Sequence, residues 1–339
     1  MNLTLEQIAS AVTGAEYYTV EGGALQLHRF NRAEEDYYKR ADEGFYMKSQ
    51  STAGMRITFR TDATSLTASA RISAGSSRTY FSIDVCVDGI PVGNIDNFGC
   101  EKLTGVYTGV QLEQGDFTAS IELGEGDDKH VSIYLPWSAK CEILGLSLDG
   151  ATYFSPVKSK NKLLVYGDSI TQGYDAQRPY YRYATIVSDL LEADEFNKAI
   201  GGEIIVPELA RCADFDSPDY ISVAYGTNDW GKVTPEKFLA NAREFYTTLS
   251  EKYPNAKIFA VTPIWRADYE NKRPFGPFSL IGELIEKAAD GLNNVTVIDG
   301  FDFVPKDPDY FADRRLHPND DGFIPYGELL GAAILREIN

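Results

Sequence analysis

Four residues in the second half of the chain have the chemistry that acyl transfer requires. Ser169 offers a hydroxyl nucleophile, and His317 offers a base that can take its proton. Gly202 and Asn228 can each give a hydrogen bond to a negatively charged oxygen, one from the backbone and one from a side-chain amide. The four residues are far apart in the sequence, so this interpretation depends on a fold that brings them together.

Each of these residues also has an ordinary structural interpretation. A serine after a strand is usually a turn residue or a helix cap, and Gly201-Gly202 suits a tight turn. Asn228 could cap a helix. His317 is the more specific signal, because the chain has 3 histidines and the other two, His28 and His130, lie in a strand-rich half.

The four residues follow elements of a pattern in which strands alternate with helices. Such alternation predicts a parallel sheet with helices on both faces, and ligands bind where the strands of such a sheet end. Ser169, Gly202, Asn228 and His317 are therefore expected at one edge. The predicted strands are Leu163–Tyr166, Glu195–Ile200, Tyr220–Tyr225, Lys257–Thr262 and Val295–Ile298, and the predicted helices lie near Tyr181–Leu191, after Thr234-Pro235, near Phe278–Ala289 and near Ile324–Ile338.

The first half of the chain has a different pattern. Alternating runs at Met55–Phe59, Tyr80–Val85 and His130–Leu135 are separated by turn clusters at Asp88-Gly89 and Gly124–Asp128. Short strands with regular turns predict an antiparallel sandwich. We therefore divide the chain into an all-β, jelly-roll-like accessory domain at residues 1–156 and an α/β domain at residues 157–339.

The sequence around Ser169 resembles the first block of the SGNH, or GDSL, hydrolases. Tyr166–Gly173 reads Tyr-Gly-Asp-Ser-Ile-Thr-Gln-Gly, Gly202 matches the second block, Gly226–Asp229 matches the third and His317–Asp320 matches the last. The blocks occur in the family order over about residues 160–339. The resemblance implies a flavodoxin-like three-layer α/β/α fold and a carboxylic ester hydrolase that uses neither a metal nor an organic cofactor.

The resemblance also implies a role for each matching residue. Ser169 would attack the ester carbonyl, and His317 would take its proton and later protonate the leaving alkoxide. The backbone N–H groups of Ser169 and Gly202 and the amide of Asn228 would hold the oxyanion. Gly202 is preferred to the glycine before it because Glu203 follows, and an acidic residue often follows the family glycine.

The third member of the expected triad departs from the family pattern. The family usually has an aspartate three residues before the histidine, where this chain has Arg314, and the nearest carboxylate is Asp313. We expect Asp313 to reach His317, because residues four apart share a helix face. The alternatives are a Ser–His dyad with a backbone carbonyl orienting the ring, and an exposed Asp313 that pairs with Arg314 or Arg315.

The order of the two predicted domains resembles carbohydrate esterase family 2, whose members remove acetyl groups from plant polysaccharides and oligosaccharides. By this resemblance, Tyr174, Trp230 and Trp265 are predicted to stack on sugar faces, while Arg266, with Arg178, binds hydroxyls. The alternative is that these aromatic residues pack a loop against the first domain.

The expected function is therefore a serine esterase that cleaves short acyl esters, in particular O-acetyl groups on oligosaccharides. No long apolar segment that could cover a fatty acyl chain lies near the predicted edge, which favours acetate. A lysophospholipase or thioesterase acting on longer acyl chains is the main alternative. A non-catalytic carbohydrate-binding protein is disfavoured, because the serine, glycine, asparagine and histidine are all present.

Composition limits the partners and the compartment. With 32 lysines and arginines against 50 aspartates and glutamates, the net charge is −18, which disfavours nucleic acids and anionic membranes as partners. No apolar run approaches the ~18 residues of a membrane span, and Met1–Gln7 lacks a signal-peptide pattern, so we expect a cytoplasmic protein.

The first domain is expected to bind carbohydrate, shape the cleft or form a homodimer. Four cysteines are expected as free thiols: Cys86, Cys100, Cys141 and Cys212.

Overall fold

Antiparallel strands account for much of the first 156 residues in the computed structural model, which describes residues 1–99, 102–103 and 109–338. They are β1 Val12–Thr13, β2 Tyr17–Glu21, β3 Ala24–His28, β4 Arg56–Thr61, β5 Ser65–Ala74, β6 Ser82–Val87, β7 Ile90–Asp96, β8 Gly115–Glu122, β9 Lys129–Tyr134, β10 Ala139–Asp149 and β11 Ser155–Pro156. One sheet has the order β1-β4-β9-β6-β7, with β11 beside β4, and the other has the order β2-β3-β10-β5-β8.

The two antiparallel sheets share one apolar core. Ile57 in β4 pairs with Ile133 in β9, and both side chains are buried in this core. Leu66 in β5 pairs with Leu148 in β10 of the other sheet, and both belong to the same core. Alternate residues of strands in both sheets therefore face one another, as expected for strands that are buried on one side.

The all-β prediction for residues 1–156 is incomplete, because this region also contains three helices. They are α1 Leu5–Ala11, α2 Arg32–Ala41 and α3 Glu43–Ser49. Asn31 forms a capping box with Glu34 at the start of α2, and the side chain of Asp42 caps α3. Tyr38 packs in a core with Tyr166 of the second half, so α2 joins the two halves of the chain.

The second half has a parallel sheet with the strand order β13-β12-β14-β15-β16. This is the flavodoxin-like order, in which the second strand lies outside the first. Within the described residues, no helix is long and apolar enough to cross a bilayer. The strands are β12 Asn161–Gly167, β13 Ala193–Asn197, β14 Tyr220–Ala224, β15 Lys257–Val261 and β16 Val295–Ile298. The helices are α4 Ser169–Gln172, α5 Tyr183–Leu190, α6 Pro207–Cys212, α7 Asp229–Lys232, α8 Pro235–Lys252, α9 Leu280–Ala289 and α10 Asp320–Ile338.

Both faces of the parallel sheet are covered, which gives three layers. In β12, Leu163 and Val165 face one apolar core, whereas Leu164 and Tyr166 face another. Helices α5 and α10 pack into the first core, and α6, α8 and α9 pack into the second. Burial on both faces explains the nearly continuous apolar runs from which these strands were predicted.

Two predicted boundaries in this half differ from the structure by 3 and 4 residues, and the others by at most 2. The second strand ends at Asn197 rather than Ile200, so the segment that leads to Gly202 is a loop. The last helix begins at Asp320 rather than Ile324, because the Asn319 side chain accepts a hydrogen bond from the Gly322 N–H at 3.0 Å. By contrast, Thr234 caps α8 and Pro235 is its first residue, as predicted.

Three of the four cysteines are free thiols. Cys86 and Cys141 are buried, and Cys212 is partly exposed at the end of α6. Cys100 lies outside the described residues.

Candidate active site

Ser169, His317 and Asp313 form a chain of two hydrogen bonds. Ser169 is the first residue of α4, directly beyond β12, and its Oγ lies 2.9 Å from His317 Nε2. His317 Nδ1 lies 2.9 Å from Asp313 Oδ2. A carboxylate accepts hydrogen bonds, so Nδ1 carries the proton and Nε2 is left to accept from the serine hydroxyl. This arrangement can remove the hydroxyl proton as the oxygen attacks an acyl group.

The loop before His317 accommodates the shifted position of Asp313. Arg314 has a φ of 56°, in the left-handed region, which tightens the turn between the aspartate and the histidine. Asp313 Oδ1 accepts hydrogen bonds from the backbone N–H groups of Arg315, Leu316 and His317 at 2.9, 2.7 and 3.1 Å. These three bonds fix the carboxylate, so the group beside Nδ1 is Asp313 rather than a backbone carbonyl.

Two aspartates of the site have opposite electrostatic environments. Burial alone would raise the pKa of Asp313, but the hydrogen bonds to His317 and to the backbone hold that pKa well below its usual range. Burial raises the pKa of Asp168 to about 6, although its side chain accepts a hydrogen bond from the Ile170 N–H at 3.0 Å. Asp313 is thus the permanent anion, while Asp168 caps the short helix that carries Ser169.

Gly202 and Asn228 lie in loops that begin where β13 and β14 end. Gly202 has a φ of 89°, and among the described residues its N–H has no hydrogen-bond acceptor. Asn228 donates one amide hydrogen to the Glu203 carbonyl at 2.9 Å, which ties the two loops together and leaves the second amide hydrogen available. Free donors at this edge are what an oxyanion requires.

Two lysines also contact the loop that contains Gly202. Lys48 of α3 donates to the Gly201 carbonyl at 2.6 Å, and Lys232 donates to the Gly202 carbonyl. Burial lowers the pKa of Lys48, and the nearby Lys232 adds to this effect. Both ammonium groups hold these carbonyls and place positive charge at the loop that contains Gly202.

Three residues that the sequence did not indicate also support this site. Gln172 accepts a hydrogen bond from the Gly201 N–H at 2.8 Å, and Trp137 donates to the Ala176 carbonyl at 2.7 Å. Asp175 lies 3.6 Å from the His317 ring nitrogen. Gln172 lies within the motif around Ser169, and Asp175 follows shortly after that motif. Neither residue type predicts such a contact.

The four predicted substrate-binding residues are buried against protein. Tyr174 lies between Trp137 and His317, with ring centroids 4.9 and 5.7 Å away. Trp230 is 1% exposed, and the guanidinium of Arg273 covers its ring at 4.0 Å. These two rings form part of the framework of the site, so stacking on sugars stays a prediction.

Trp265 and Arg266 are likewise engaged in the loop after β15. Trp265 packs against Phe311 at a centroid distance of 5.3 Å, and Arg266 Nη1 donates to the Thr227 carbonyl at 3.0 Å. Arg266 also forms an ion pair with Asp268. They hold that loop against the histidine loop and the asparagine loop, and their contact with a substrate stays a prediction.

Asp175, Asp313 and His317 are residue types that can bind a metal ion, and they lie close together. One potential ligand atom from each lies within 4.8 Å of the others. Each group already has a protein partner, however, because Asp175 is paired with Arg78 and Asp313 with His317. The arrangement is that of a hydrogen-bonded proton-transfer site.

Residues 165–323 match the family model of the GDSL-like lipases and acylhydrolases. The match includes Ser169, Gly202, Asn228, Asp313 and His317. No curated protein sequence matches the chain.

Several solved structures are similar to this chain over most of its length. A GDSL-like lipase from Bacteroides ovatus has a TM-score of 0.76 at 19% identity, with 100% of this chain and 98% of that chain covered. A salicylyl-acyltransferase from a tetracycline biosynthetic pathway has a TM-score of 0.75 at 21% identity, with 96% and 94% covered. A family two carbohydrate esterase from Clostridium thermocellum, in complex with cellohexaose, has a TM-score of 0.62 at 16% identity, with 85% and 94% covered. At these identities, the similarity establishes a shared fold.

Proposed function

We propose that this chain is a carboxylic ester hydrolase that removes acetyl groups from oligosaccharides, and the match of residues 165–323 to the GDSL-like lipase/acylhydrolase family supports this proposal. One observation carries the catalytic part of this proposal: Ser169 Oγ, the imidazole of His317 and the carboxylate of Asp313 are joined by contacts of 2.9 Å. Such a chain gives a serine hydroxyl the base that it needs for acyl transfer.

In the first half of the reaction, Ser169 attacks the acyl carbonyl while His317 Nε2 accepts the hydroxyl proton. The carbonyl oxygen becomes an oxyanion, which receives hydrogen bonds from the N–H groups of Ser169 and Gly202 and from the Asn228 amide. Asp313 stabilises the imidazolium that forms. When the tetrahedral intermediate collapses, the imidazolium gives its proton to the leaving alkoxide and an acyl-serine ester remains.

In the second half, His317 removes a proton from water, and the resulting hydroxide attacks the acyl-serine ester. The same donors hold the second oxyanion. Collapse of this intermediate breaks the bond to Ser169, the serine regains its proton from the imidazolium, and the carboxylic acid leaves. Because Asp313 keeps its negative charge throughout, the histidine can act as base and then as acid in each half.

The shared fold and the cavities bear on the acetyl and carbohydrate parts of the proposal. The fold is shared with a family two carbohydrate esterase that was solved in complex with cellohexaose. Two cavities of about 1060 and 830 Å³ lie at residues 262–301 and at residues 213–257 with Ile338, and neither is lined by Ser169 or His317. The proposed acetyl group is small enough to bind at Ser169 without either cavity.

We also infer that residues 1–156 are part of the catalytic unit rather than a separate binding module. Arg29 donates hydrogen bonds to the carbonyls of Asn197 and Ala199 at 3.0 Å, in the segment that leads to Gly202. Lys48 contacts a further carbonyl of that loop, at Gly201. These contacts support a role for the first region in shaping the site.

The test measures acetate release from a panel of acetylated oligosaccharides, together with hydrolysis of aryl acetate, butyrate and octanoate. We expect the acetyl esters to be the best substrates and Ser169→Ala to lose at least about 10³-fold in kcat. Ser279→Ala is the matched control, because Ser279 is exposed and does not cap its helix through its side chain.

Two results would contradict parts of this proposal separately. Equal aryl acetate hydrolysis by the native protein and Ser169→Ala would contradict the serine mechanism. A preference for octanoate, lost in Ser169→Ala, would support the mechanism but would place the chain among lipases or thioesterases.

A further inference from the structure

We propose that Asp175 is a second carboxylate that positions His317, and that Arg78 of the N-terminal region holds it in place. This inference rests on the proposed function, in which His317 is the general base. Asp175 Oδ2 lies 3.6 Å from His317 Nδ1, whereas Asp313 Oδ2 lies 2.9 Å from the same atom. The imidazole therefore has a hydrogen-bonded carboxylate and a second one just beyond hydrogen-bond distance.

Arg78 binds Asp175 through two hydrogen bonds. Its Nε donates to Oδ1 at 2.6 Å and its Nη2 donates to Oδ2 at 2.9 Å. Both side chains are buried, with exposures of 5% for Arg78 and 1% for Asp175, and the hydroxyl of Tyr80 lies 3.4 Å from Oδ1. A bidentate pair fixes the plane of a carboxylate, so Asp175 cannot turn away from the imidazole without breaking this pair.

The backbone at Asp175 also indicates a specific role. Asp175 has a φ of 70°, a left-handed conformation that residues other than glycine rarely adopt. The next residue, Ala176, is held by its N–H bond to the Gly173 carbonyl at 3.0 Å and by the indole of Trp137. Asp175 thus combines a buried ion pair with a strained backbone conformation. Such a combination is typical of residues in functional sites.

The arrangement explains why the second carboxylate does not disturb the base. Two uncompensated negative charges beside His317 would favour its protonated form and would remove the base from the free enzyme. Arg78 offsets much of the charge of Asp175, so Asp313 is the carboxylate with the larger effect on the ring. Asp175 limits the rotation of the imidazole and adds to the stabilisation of the imidazolium when it forms. Asp168, on the Ser169 side, also influences His317 electrostatically and remains in every variant below.

The first test is a double-mutant cycle with aryl acetate hydrolysis as the readout. Asp313→Asn, Asp175→Asn and the double variant are compared with the native chain. We expect Asp175→Asn to lower kcat roughly tenfold more in the Asp313→Asn background than alone, because Asp175 then provides the remaining carboxylate for Nδ1. The same factor in both backgrounds would overturn the proposal, since independent structural effects are additive.

The second test uses the pH profile of kcat/KM, which a purely structural role would not shift. Asp175→Asn should move the acidic limb to lower pH, because one negative charge beside the base is lost. Arg78→Met should move it to higher pH by about 0.5–1 unit, because Asp175 is then uncompensated. The double variant Arg78→Met/Asp175→Asn should reverse the Arg78→Met shift.

Arg71→Met is the matched control for the loss of an arginine in the same region. Arg71 pairs with Asp116 on the surface, and both side chains are about half exposed, so its loss should leave the profile unchanged. If Arg78→Met does not fold, Arg78→Lys and the isosteric Asp175→Asn decide the question. Unchanged acidic limbs in folded variants would overturn the proposal, whereas activity that survives Ser169→Ala would overturn the proposed function itself.

Discussion

The Gln172 side-chain carbonyl accepts a hydrogen bond from the Gly201 N–H at 2.8 Å. Gln172 is the last residue of the helix that begins with Ser169, and Gly201 immediately precedes the predicted oxyanion glycine. The amide nitrogen of Gln172 also donates to Ser51 Oγ and to the Trp137 carbonyl, both at 3.2 Å. A single fully buried side chain thus connects the helix of Ser169, the loop of Gly202 and the N-terminal region.

We predict that Gln172→Met lowers both stability and kcat. Methionine has a similar volume, but it leaves the Gly201 N–H and the Trp137 carbonyl without their partner, at a cost of about 1–3 kcal/mol in the free energy of unfolding. A loosened glycine loop should lower kcat more than it raises KM. Urea unfolding and steady-state kinetics measure the two effects, with Gln111→Met at an exposed position as the control. Full activity with reduced stability would show that the connection is structural alone.

The two adjacent glycines should differ in the effect of an added methyl group. At Gly202 a Cβ would meet nothing closer than Lys48 Nζ at 3.8 Å, but the φ of 89° disfavours alanine by about 1–2 kcal/mol. Alanine keeps the backbone N–H but disfavours this φ, and a shift of the backbone would turn the N–H away from the predicted oxyanion. We predict that Gly202→Ala folds yet loses up to about 10²–10³-fold in kcat, the loss typical of one oxyanion donor. Steady-state kinetics with aryl acetate measure this loss, and an unchanged kcat would show that the backbone conformation at Gly202 is not needed for catalysis.

Gly201→Ala provides the contrast. There a Cβ would lie 2.5 Å from the ring of Tyr174, a distance that forces the ring or the loop to move. Gly201→Ala should therefore lower the melting temperature more than Gly202→Ala does.

Asn228 should contribute to the rate beyond its contribution to stability. We predict that Asn228→Ala lowers kcat by about 10²–10³-fold, because the transition state loses a donor. Asn294→Ala is a matched control, since Asn294 also donates an amide hydrogen to a backbone carbonyl, that of Tyr253 at 3.1 Å, but precedes β16 and so lies at the opposite end of the parallel sheet from Asn228. We expect the two variants to lose similar amounts of stability and only Asn228→Ala to lose kcat. Equal kcat values in the two variants would contradict this prediction.

The sequence indicated the parallel sheet and the polar residues at its edge because both depend on local patterns. Strands buried on both faces are continuous apolar runs, and the residues at their ends are nearby in the sequence. The position of Asp313 was harder to predict. It depended on the left-handed conformation of Arg314. Arginine rarely adopts this conformation, and no short sequence pattern predicts it.

The supporting contacts could not be predicted, because they join segments that are distant in the sequence. Arg78 and Asp175 are 97 residues apart, and Arg29 and Ala199 are 170 apart. The aromatic residues near the motifs illustrate the opposite difficulty. Tyr174 and Trp230 have the residue types that bind sugars, but the same large apolar surface equally suits a buried framework, which is where the structure places them.

Glu203 gives a prediction about the pH dependence of stability. Its carboxylate accepts hydrogen bonds from the hydroxyls of Tyr38 and Tyr225 at 2.8 and 2.9 Å, and burial raises its pKa from 4.5 to about 8. A raised pKa means that the folded state holds a proton that the unfolded state has already lost between these values. The contribution of Glu203 to the free energy of unfolding is therefore fully present below about pH 4.5, and it is lost as the pH rises through about 8.

Glu203→Gln should remove this dependence, because glutamine stays neutral at every pH. We expect the difference in unfolding free energy between Glu203→Gln and the native chain to shift by about 2–4 kcal/mol in favour of the variant from pH 5 to pH 9. Urea unfolding at a series of pH values measures the difference, and Glu251→Gln at an exposed position is the control. Parallel curves for Glu203→Gln and the native chain would mean that Glu203 is ionised in the folded protein throughout this range. The two tyrosine hydroxyls would then suffice to stabilise a buried charge beside the oxyanion loop.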